Sequence, residues 1–346
     1  MKQKILVTGG NGFIGSHTTI ELLKNDFEVH ILDNLYNSYI ENITRIESIS
    51  SKKIKFIEID ICNFEVLKKL FLDNKYDAVI HFAANKSVNE SIQEPLKYIN
   101  TNIKGTINLC EAMINAGCTN LIFSSSAAVY DINNKLPFTE ESVLGSNNTY
   151  GASKIICEKV LERLSEAKKP LRSISLRYFN PAGAHPSGMM GENPKNTDSN
   201  LFPQLLEKIF NKNKNFYIFG NDYETKDGTG IRDFIHVMDL AEAHVLALKR
   251  ILNDKNKNYE IFNVGTGIGY SVKEVITTFE QIISDNIHYE IKDRREGDLP
   301  ICYAENEKIK TVFNWAPKKN LKEICTDAYK WKSYFLKKNT KGMKTR

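Results

Sequence analysis

The run Thr8-Gly9-Gly10-Asn11-Gly12-Phe13-Ile14-Gly15 sits between the apolar stretch Lys4 to Val7 and the helical stretch Ser16 to Lys24, and it limits the possible folds more than any other segment. Glycines at 9, 12 and 15 permit a tight turn, close approach of backbone to a pyrophosphate, and close packing of a helix on a strand. The helix start then offers unpaired N–H groups to an anion. A glycine-rich turn without a ligand is the competing reading, and the rest of the first half weighs against it. Apolar runs at Glu28 to Leu32, Ile54 to Ile59, Ala78 to Phe82 and Leu121 to Phe123 read as buried parallel strands. Helical stretches at Phe64 to Leu72, Pro95 to Ala116 and Tyr150 to Ala167 alternate with them. This rhythm predicts an α/β fold, a Rossmann-type doubly wound parallel sheet with right-handed crossovers.

After the strand Ser173 to Tyr178 the rhythm fails, and the stretch 180–199 is rich in Pro, Gly and Asn. We therefore expect a dinucleotide-binding domain over residues 1–180 and a smaller, mixed α/β substrate domain over 181–346, with the chain interleaving between the two. Lys337, Lys338, Lys341, Lys344 and Arg346 crowd the end, which reads as a frayed basic tail over about 337–346. They contribute to a small excess of 47 Lys and Arg over 42 Asp and Glu. No basic stripe interleaved with aromatics points to nucleic acid. No apolar run approaches the ~18 residues that span a bilayer, and no signal peptide precedes the first strand. The six cysteines form no C-x-x-C pair, so neither a metal site nor a disulfide framework is expected. The expected compartment is the reducing cytoplasm.

The second strand ends at Asp33, where a dinucleotide site keeps its ribose acid. A carboxylate there accepts hydrogen bonds from the adenosine 2′-hydroxyl and repels a 2′-phosphate, which favours NAD over NADP. Asp60-Ile61, ending the third strand, is placed either to meet adenine or, through Asp60, to cap the following helix. Phe82-Ala83-Ala84 ends the fourth strand with small residues beside the cofactor path. Lys86 follows within reach of a ribose or pyrophosphate, unless it is only an exposed loop lysine.

Tyr150 and Lys154 lie four apart on a helix and share one face. A phenol is a poor base at neutral pH, and a neighbouring ammonium lowers its pKa toward what proton abstraction from an alcohol requires. Taken alone, Tyr-x-x-x-Lys recurs as a solvated helix pair. Ser124-Ser125-Ser126, at the carboxyl end of the fifth strand, adds a hydroxyl that can relay a proton, although serines there can also cap backbone.

The order of fingerprint, Asp33, Ser126 and Tyr150-x-x-x-Lys154 resembles an extended short-chain dehydrogenase/reductase. Leu32-Asp-Asn-Leu35, His81-Phe-Ala-Ala84, Arg177-Tyr-Phe-Asn-Pro181, Gly183-Ala-His-Pro-Ser-Gly188, Phe219-Gly-Asn-Asp222, Asp227-Gly-Thr-Gly-Ile-Arg-Asp233, Ile235-His-Val237 and Arg294-Arg-Glu-Gly-Asp-Leu-Pro300 narrow the resemblance to the UDP-glucose 4-epimerases, from about residue 3 to 335. The resemblance implies an isomerase of galactose metabolism (the Leloir pathway) that retains NAD and interconverts UDP-glucose and UDP-galactose through a 4-keto sugar. It implies Tyr150 as the base, Lys154 on the nicotinamide ribose and Ser126 as the bridge to the sugar. It adds Phe13, Ile14, Asn34, Asn37, Ser38, Ser124 and Tyr178 to the cofactor site, and Asn102 beside the nicotinamide unless that residue is structural. On the UDP-sugar side it implies Lys86, Phe179, Asn180, Asn200, Leu201, Tyr217, Phe219, Arg232, Arg295 and Asp298, the arginines suiting a diphosphate. Cys302 matches a sugar-pocket position that carries either a bulky Tyr or a small residue. A small one leaves room for UDP-GlcNAc and UDP-GalNAc as further substrates. The helices Pro95 to Ala116 and Tyr150 to Ala167 match the family's dimer bundle, so a homodimer is expected.

The chain departs from the pattern after Tyr130, where Asp131 stands in place of the usual Gly and puts the local loop shape in question. Two rival functions fit these residues less well. A nucleotide-sugar dehydratase needs carboxylates after the hydroxyl residue, and Ala127-Ala128 stand there. A silent NAD-sensing protein would typically lack Tyr150 or Lys154, and both are present.

Overall fold

The computed structural model describes residues 2–168, 170–195, 200–254, 256–295 and 298–342, the last four by backbone alone. Strands β1 (Lys4–Thr8), β2 (Glu28–Asp33), β3 (Lys55–Glu58), β4 (Ala78–His81), β5 (Asn120–Ser124) and β6 (Arg172–Tyr178) join Tyr259–Val264 in a seven-stranded sheet. From one edge the order runs Tyr259–Val264, β6, β5, β4, β1, β2, β3, and every pairing is parallel. The order reverses between β1 and β4, and ligands of such sheets bind outside the carboxyl ends of the strands at that point.

Side chains alternate across each strand, so the sheet feeds two apolar layers. Ile5, Val7, Ile31 and Ile80 pack with Leu22, Ile46, Leu240 and Leu248, from the helices Phe13–Lys24, Glu41–Ser50 and Val237–Asn253. Leu6, Leu32, Val79 and Leu121 face Leu67, Phe71, Met113 and Leu161, from Phe64–Asp73, Gly105–Asn115 and Thr149–Ser165. Each such side chain, fully buried, contributes ~1.5–3 kcal/mol.

The chain leaves the large sheet after β6 and returns to it with Val237–Asn253 and Tyr259–Val264. Between and after these it builds a smaller layer. Asn180–Ala182, Gly269–Ser271 and Ile301–Cys302 pair with Ile231–His236, and Tyr217–Phe219 pairs with Glu290–Lys292. Phe202, Leu206, Phe234, Phe279 and Ile324 fill that core. The expected basic tail is corrected in part: the last helix runs from Leu321 to Gly342, so 337–342 continue it, and 343–346 lie outside the described residues. The stretch Pro95 to Ala116 is also more than one helix. A short helix at Pro95–Tyr98 passes through a widened π turn at Ile99–Lys104 before Gly105–Asn115. Among the described residues no helix is long and apolar enough to cross a membrane.

His81, at the centre of the sheet, shows how burial sets acid stability. Its Nδ1 lies 2.6 Å from Thr8 Oγ1 and its Nε2 2.9 Å from Thr106 Oγ1. The Thr106 hydroxyl donates to the Asn102 carbonyl, so it accepts from Nε2–H and leaves Nδ1 to accept from Thr8. The ring is therefore neutral. Burial, aided by the Lys154 ammonium, holds its pKa down at about 3, and burial holds His17 at about 3 and His244 at about 4. As pH falls from 6.5 toward those values, the unfolded chain binds protons that the folded chain refuses, so stability falls. Each ring contributes up to ~1.4 kcal/mol per pH unit. We expect the calorimetric midpoint to drop steadily between about pH 6.5 and pH 5, and His81→Gln to flatten that slope. A midpoint independent of pH in that range would contradict the neutral assignment.

Candidate active site

The carboxyl ends of β1, β2, β4, β5 and β6 deliver one residue set to one crevice. After β1, Gly9 takes a left-handed φ of 66°, and a Cβ there would lie 2.6 Å from the backbone N of Ala83. A Cβ on Gly15 would sit 2.3 Å from the Gly9 carbonyl oxygen, so helix and turn pack with no room for a side chain. Gly12 differs. A Cβ on it would meet only the Gly9 carbonyl, at 3.3 Å, and no side chain caps the helix that it opens. Bare N–H groups thus begin the helix carrying Phe13 and Ile14, as a pyrophosphate requires.

Asp33 is buried at the end of β2. Its carboxylate accepts from the backbone N–H of Asn11 (3.1 Å) and Leu35 (2.9 Å) and from the Ser38 hydroxyl (2.9 Å). Burial raises its pKa, while these donors and Lys195 oppose the rise. Asn34 donates to Asp60 at 2.9 Å, and Asn37 accepts from the Lys195 backbone at 3.1 Å, so both line the same end of the crevice. Asp60 does not cap the next helix: Asn63 does, accepting from Val66 N–H. That leaves Asp60, with buried Ile61, at the edge where adenine was expected. Phe82, packed 4.7 Å from the His244 ring, and Ala83 continue the wall into Ala84.

The reacting centre joins β5 to the helix Thr149–Ser165. Asn148 caps that helix by accepting from Gly151 N–H at 2.9 Å, which fixes Tyr150 in its first turn. The Ser126 side chain favours the Tyr150 phenolate. Lys154 is buried, donates to the Ser124 carbonyl at 2.6 Å, and lies over the Phe123 ring at 4.8 Å and the Tyr150 ring at 6.0 Å. Burial pulls its pKa down to about 8. The Ser124 hydroxyl meets the Tyr178 hydroxyl. One expectation needs correcting. Burial raises the Tyr150 pKa in the protein alone, and Ser126 and Lys86, rather than Lys154, are the groups that pull it down. Asn102, on the π turn, donates to the Asn85 carbonyl and Ser153 (both 3.0 Å) and accepts from Asn85 N–H (2.8 Å). Its amide is occupied by protein, which is the structural of its two roles. Asp131 makes an Asx turn, accepting from Asn133 N–H at 2.8 Å, and its φ is not positive, so the loop does not require glycine.

The smaller layer packs against this centre. Cys302 pairs with Arg232 across parallel strands and packs against the cluster of Val129, Tyr130, Phe138, Phe179 and Ala304. Arg232 reaches Asp298 at 3.3 Å, and Arg295 lies 3.9 Å over the Phe219 ring. Two guanidinium groups, one carboxylate and one aromatic face form a mouth suited to a nucleoside diphosphate. Asn180 starts the strand beside Phe234, and Tyr217 is covered by Lys292 at 3.7 Å. Asn200 precedes the helix that begins at Leu201.

A glycine cradle, a ribose acid and a Ser-Tyr-Lys centre at one sheet edge fit a nicotinamide dinucleotide. The model of the NAD dependent epimerase/dehydratase family matches residues 5–265. The chain belongs to that family. A UDP-glucose 4-epimerase of Bacillus subtilis is 45% identical over 329 residues, covering 95% of this chain and 96% of the relative. The crystal structure of a Bifidobacterium longum UDP-glucose 4-epimerase in complex with NAD+ and UDP has a TM-score of 0.92 and 39% identity, over 96% of this chain and 98% of that one. The UDP-Glc/GlcNAc 4-epimerase of Campylobacter jejuni is also similar, with a TM-score of 0.82 and 39% identity over 96% and 99% of the two chains.

The cofactor of this epimerase/dehydratase chain is NAD. Protein purified without added nucleotide should release about one NAD per subunit on denaturation, and Gly12→Val should release almost none by closing the open side of the cradle. Tighter binding of NADP than NAD would overturn the reading of Asp33. Several residues of this family member escaped the sequence reading. Asn11 lies inside the fingerprint, yet its side chain ties Ser38 (3.2 Å) and the Tyr39 carbonyl (2.8 Å) to the turn. Glu158 follows Lys154 by four on the same helix face, a spacing that could have flagged it. It forms a buried ion pair with Arg177 at 2.6 Å and receives Ser125, tying helix, β5 and β6 together behind the centre.

Proposed function

We propose that this protein is a UDP-glucose 4-epimerase that interconverts UDP-galactose and UDP-glucose through a transient 4-keto sugar, serving galactose metabolism in the cytoplasm. The observation that carries the reading is the placement of Ser126, just past β5, with Tyr150 and buried Lys154 on the helix Thr149–Ser165. Bound NAD supplies a hydride acceptor that returns the hydride within the same cycle. Tyr150 takes the proton of the sugar 4-hydroxyl and returns it after the keto sugar has turned over. Ser126 relays that proton and, with Lys86, favours the phenolate, and Lys154 holds the cofactor ribose. Arg232 and Arg295 hold the diphosphate, Asp298 the uridine ribose, and Asn180, Asn200, Leu201, Tyr217, Phe179 and Phe219 border the nucleotide and sugar. Water loss cannot proceed here as in a dehydratase, because Ala127–Val129 form a short helical turn with no carboxylate.

Cys302 supports a wider substrate range that includes UDP-GlcNAc and UDP-GalNAc. A homodimer is supported by exposed Ile99, Ile107 and Ile156 on the helices around Pro95–Asn115 and Thr149–Ser165. An apolar groove between these helices is lined by Ile107, Ile114, Val160 and Leu164. The deciding experiment is conversion of UDP-galactose to UDP-glucose by protein purified without added NAD. Net reduction of free NAD, or release of a dehydrated sugar nucleotide, would overturn the proposal.

A further inference from the structure

Strands β4 and β2 flank β1, whose glycine turn forms the cofactor cradle, and one segment between Asn180–Ala182 and the helix Leu201–Phe210 touches the loops of both flanks. Glu192 meets the β4 side. Its Oε1 accepts from Lys86 Nζ at 2.9 Å and from Asn200 Nδ2 at 2.8 Å. Lys195 meets the β2 side. Its ammonium donates to the Leu35 carbonyl and lies 5.4 Å over the Tyr39 ring, and its backbone N–H donates to Asn37 at 3.1 Å. Two strand spacings separate the flanks by ~10 Å, and three residues of extended chain cover ~10 Å. Pro194 favours that extension, because its ring fixes its own φ and steers Asn193 away from helical backbone. The near end of the segment is rooted. Met190 is buried in the same core as Ile5 and Ile80, the Trp331 indole donates to the Glu192 carbonyl at 3.1 Å, and a Cβ on Gly191 would sit 2.4 Å from that ring.

We propose that residues 191–195 are a strap across the NAD groove, closed by two clasps that limit how fast NAD leaves, Glu192 on Lys86 and Lys195 on the Leu35–Asn37 loop. This reading rests on NAD as the cofactor and not on which sugar nucleotide is turned over. The loop that Lys195 holds also carries partners of Asp33: the Leu35 N–H and the Ser38 hydroxyl both donate to that carboxylate, at 2.9 Å each. Lys195 takes the Leu35 carbonyl, so one residue is held from both sides, by the strap and by the ribose acid. Both clasps use an ammonium that water can reach. Lys86 is 44% exposed and Lys195 is exposed, so either bond can open without uncovering apolar core. The buried root at Met190 and Trp331 stays in place while the clasps part. The second bond on Glu192 Oε1 ties the first clasp to Asn200, at the start of the helix Leu201–Phe210.

The test reads NAD release directly. Holoenzyme carrying isotope-labelled NAD is chased with excess unlabelled NAD, and the label left on the protein is followed after rapid desalting. Glu192→Ala removes the first clasp, and Lys195→Met removes the ammonium of the second while keeping its backbone bond to Asn37. Each should release NAD roughly 3- to 10-fold faster than wild type, and the double variant faster than either. Lys195→Arg keeps a charged donor and should release more slowly than Lys195→Met. Lys318→Met breaks an ion pair with Glu242, 2.8 Å long, that touches neither flank, and it should release at the wild-type rate. Because Lys195 is exposed, its variants keep the fold and settle the matter even if Glu192→Ala does not fold. Wild-type release from Lys195→Met, or equal acceleration in Lys318→Met, would overturn the inference whether or not the protein epimerises. A wild type that shows these release rates but does not convert UDP-galactose would overturn the proposed function alone.

Discussion

Tyr150→Phe should lower kcat for UDP-galactose by several orders of magnitude while NAD retention and UDP binding stay near those of the wild type. The reason is electrostatic and local. Burial pushes the pKa of the phenol above the ordinary value, so it does not ionise unaided at neutral pH. In its proposed role as base it depends on Ser126 and Lys86, the groups that favour the phenolate, and removing the hydroxyl removes both the acceptor and the later donor of the same proton. General acid–base catalysis contributes ~10²–10⁴-fold, and the hydride step cannot run ahead of it. Binding should be spared because the groups proposed to hold the nucleotides lie elsewhere: the glycine cradle and Asp33 on one side, Arg232 and Arg295 on the other. Single-turnover kinetics with equilibrium binding of UDP separate the two effects. Near-normal turnover in the variant would remove Tyr150 from the base role, whereas lost UDP binding would make it a structural residue.

The parts of this site that were legible in the sequence are those where local backbone chemistry dictates the residue. Gly9 and Gly15 stand where a Cβ would strike backbone, so their spacing carried the fold of the first half. Asp33, Ser126, Tyr150 and Lys154 sit at strand ends or on one helix face, positions that follow from counting along elements. What stayed hidden depends on long-range meetings. Lys86 and Glu192 are 106 residues apart, and Arg232 and Asp298 are 66 apart. Such pairs leave no periodic trace. The π turn that aims Asn102 at Asn85 was equally invisible, because its residues continue an ordinary helical pattern. The direction of the Tyr150 shift is hidden for a related reason: desolvation is a property of the assembled crevice, not of the Tyr-x-x-x-Lys spacing. Helix Val237–Asn253 and strand Tyr259–Val264 rejoin the large sheet across a long insertion, and only the assembled sheet reveals their pairing with β6.

Cys302→Tyr should lower kcat/KM for UDP-GlcNAc and UDP-GalNAc by ~100-fold while largely sparing UDP-glucose. Cys302 occupies a short strand opposite Arg232, so its position relative to the diphosphate side is held by the sheet rather than by a loop. Its thiol is partly buried against the Phe179 and Ala304 cluster, and burial pushes its pKa up to about 11, so it is neutral and small rather than reactive. Among the described residues no group of His, Cys, Asp or Glu gathers into a metal site, which leaves volume as the property that counts. A tyrosine adds most of an aromatic ring at the wall. Forcing a ligand into filled space costs ~1–3 kcal/mol or more, and each 1.36 kcal/mol is about tenfold in kcat/KM. The N-acetyl substituent on C2 needs that space and the plain hydroxyl does not, so the loss should approach ~100-fold for one pair and stay within a few-fold for the other. The measurement is kcat/KM for both pairs in wild type and variant, with thermal melting to show that the fold survives. If the wild type fails on the N-acetylated pair at concentrations that saturate UDP-galactose turnover, then Cys302 is a small core residue and the pocket ends before it. Equal losses on both pairs would mean that the ring disturbs Arg232 and the diphosphate instead of the sugar.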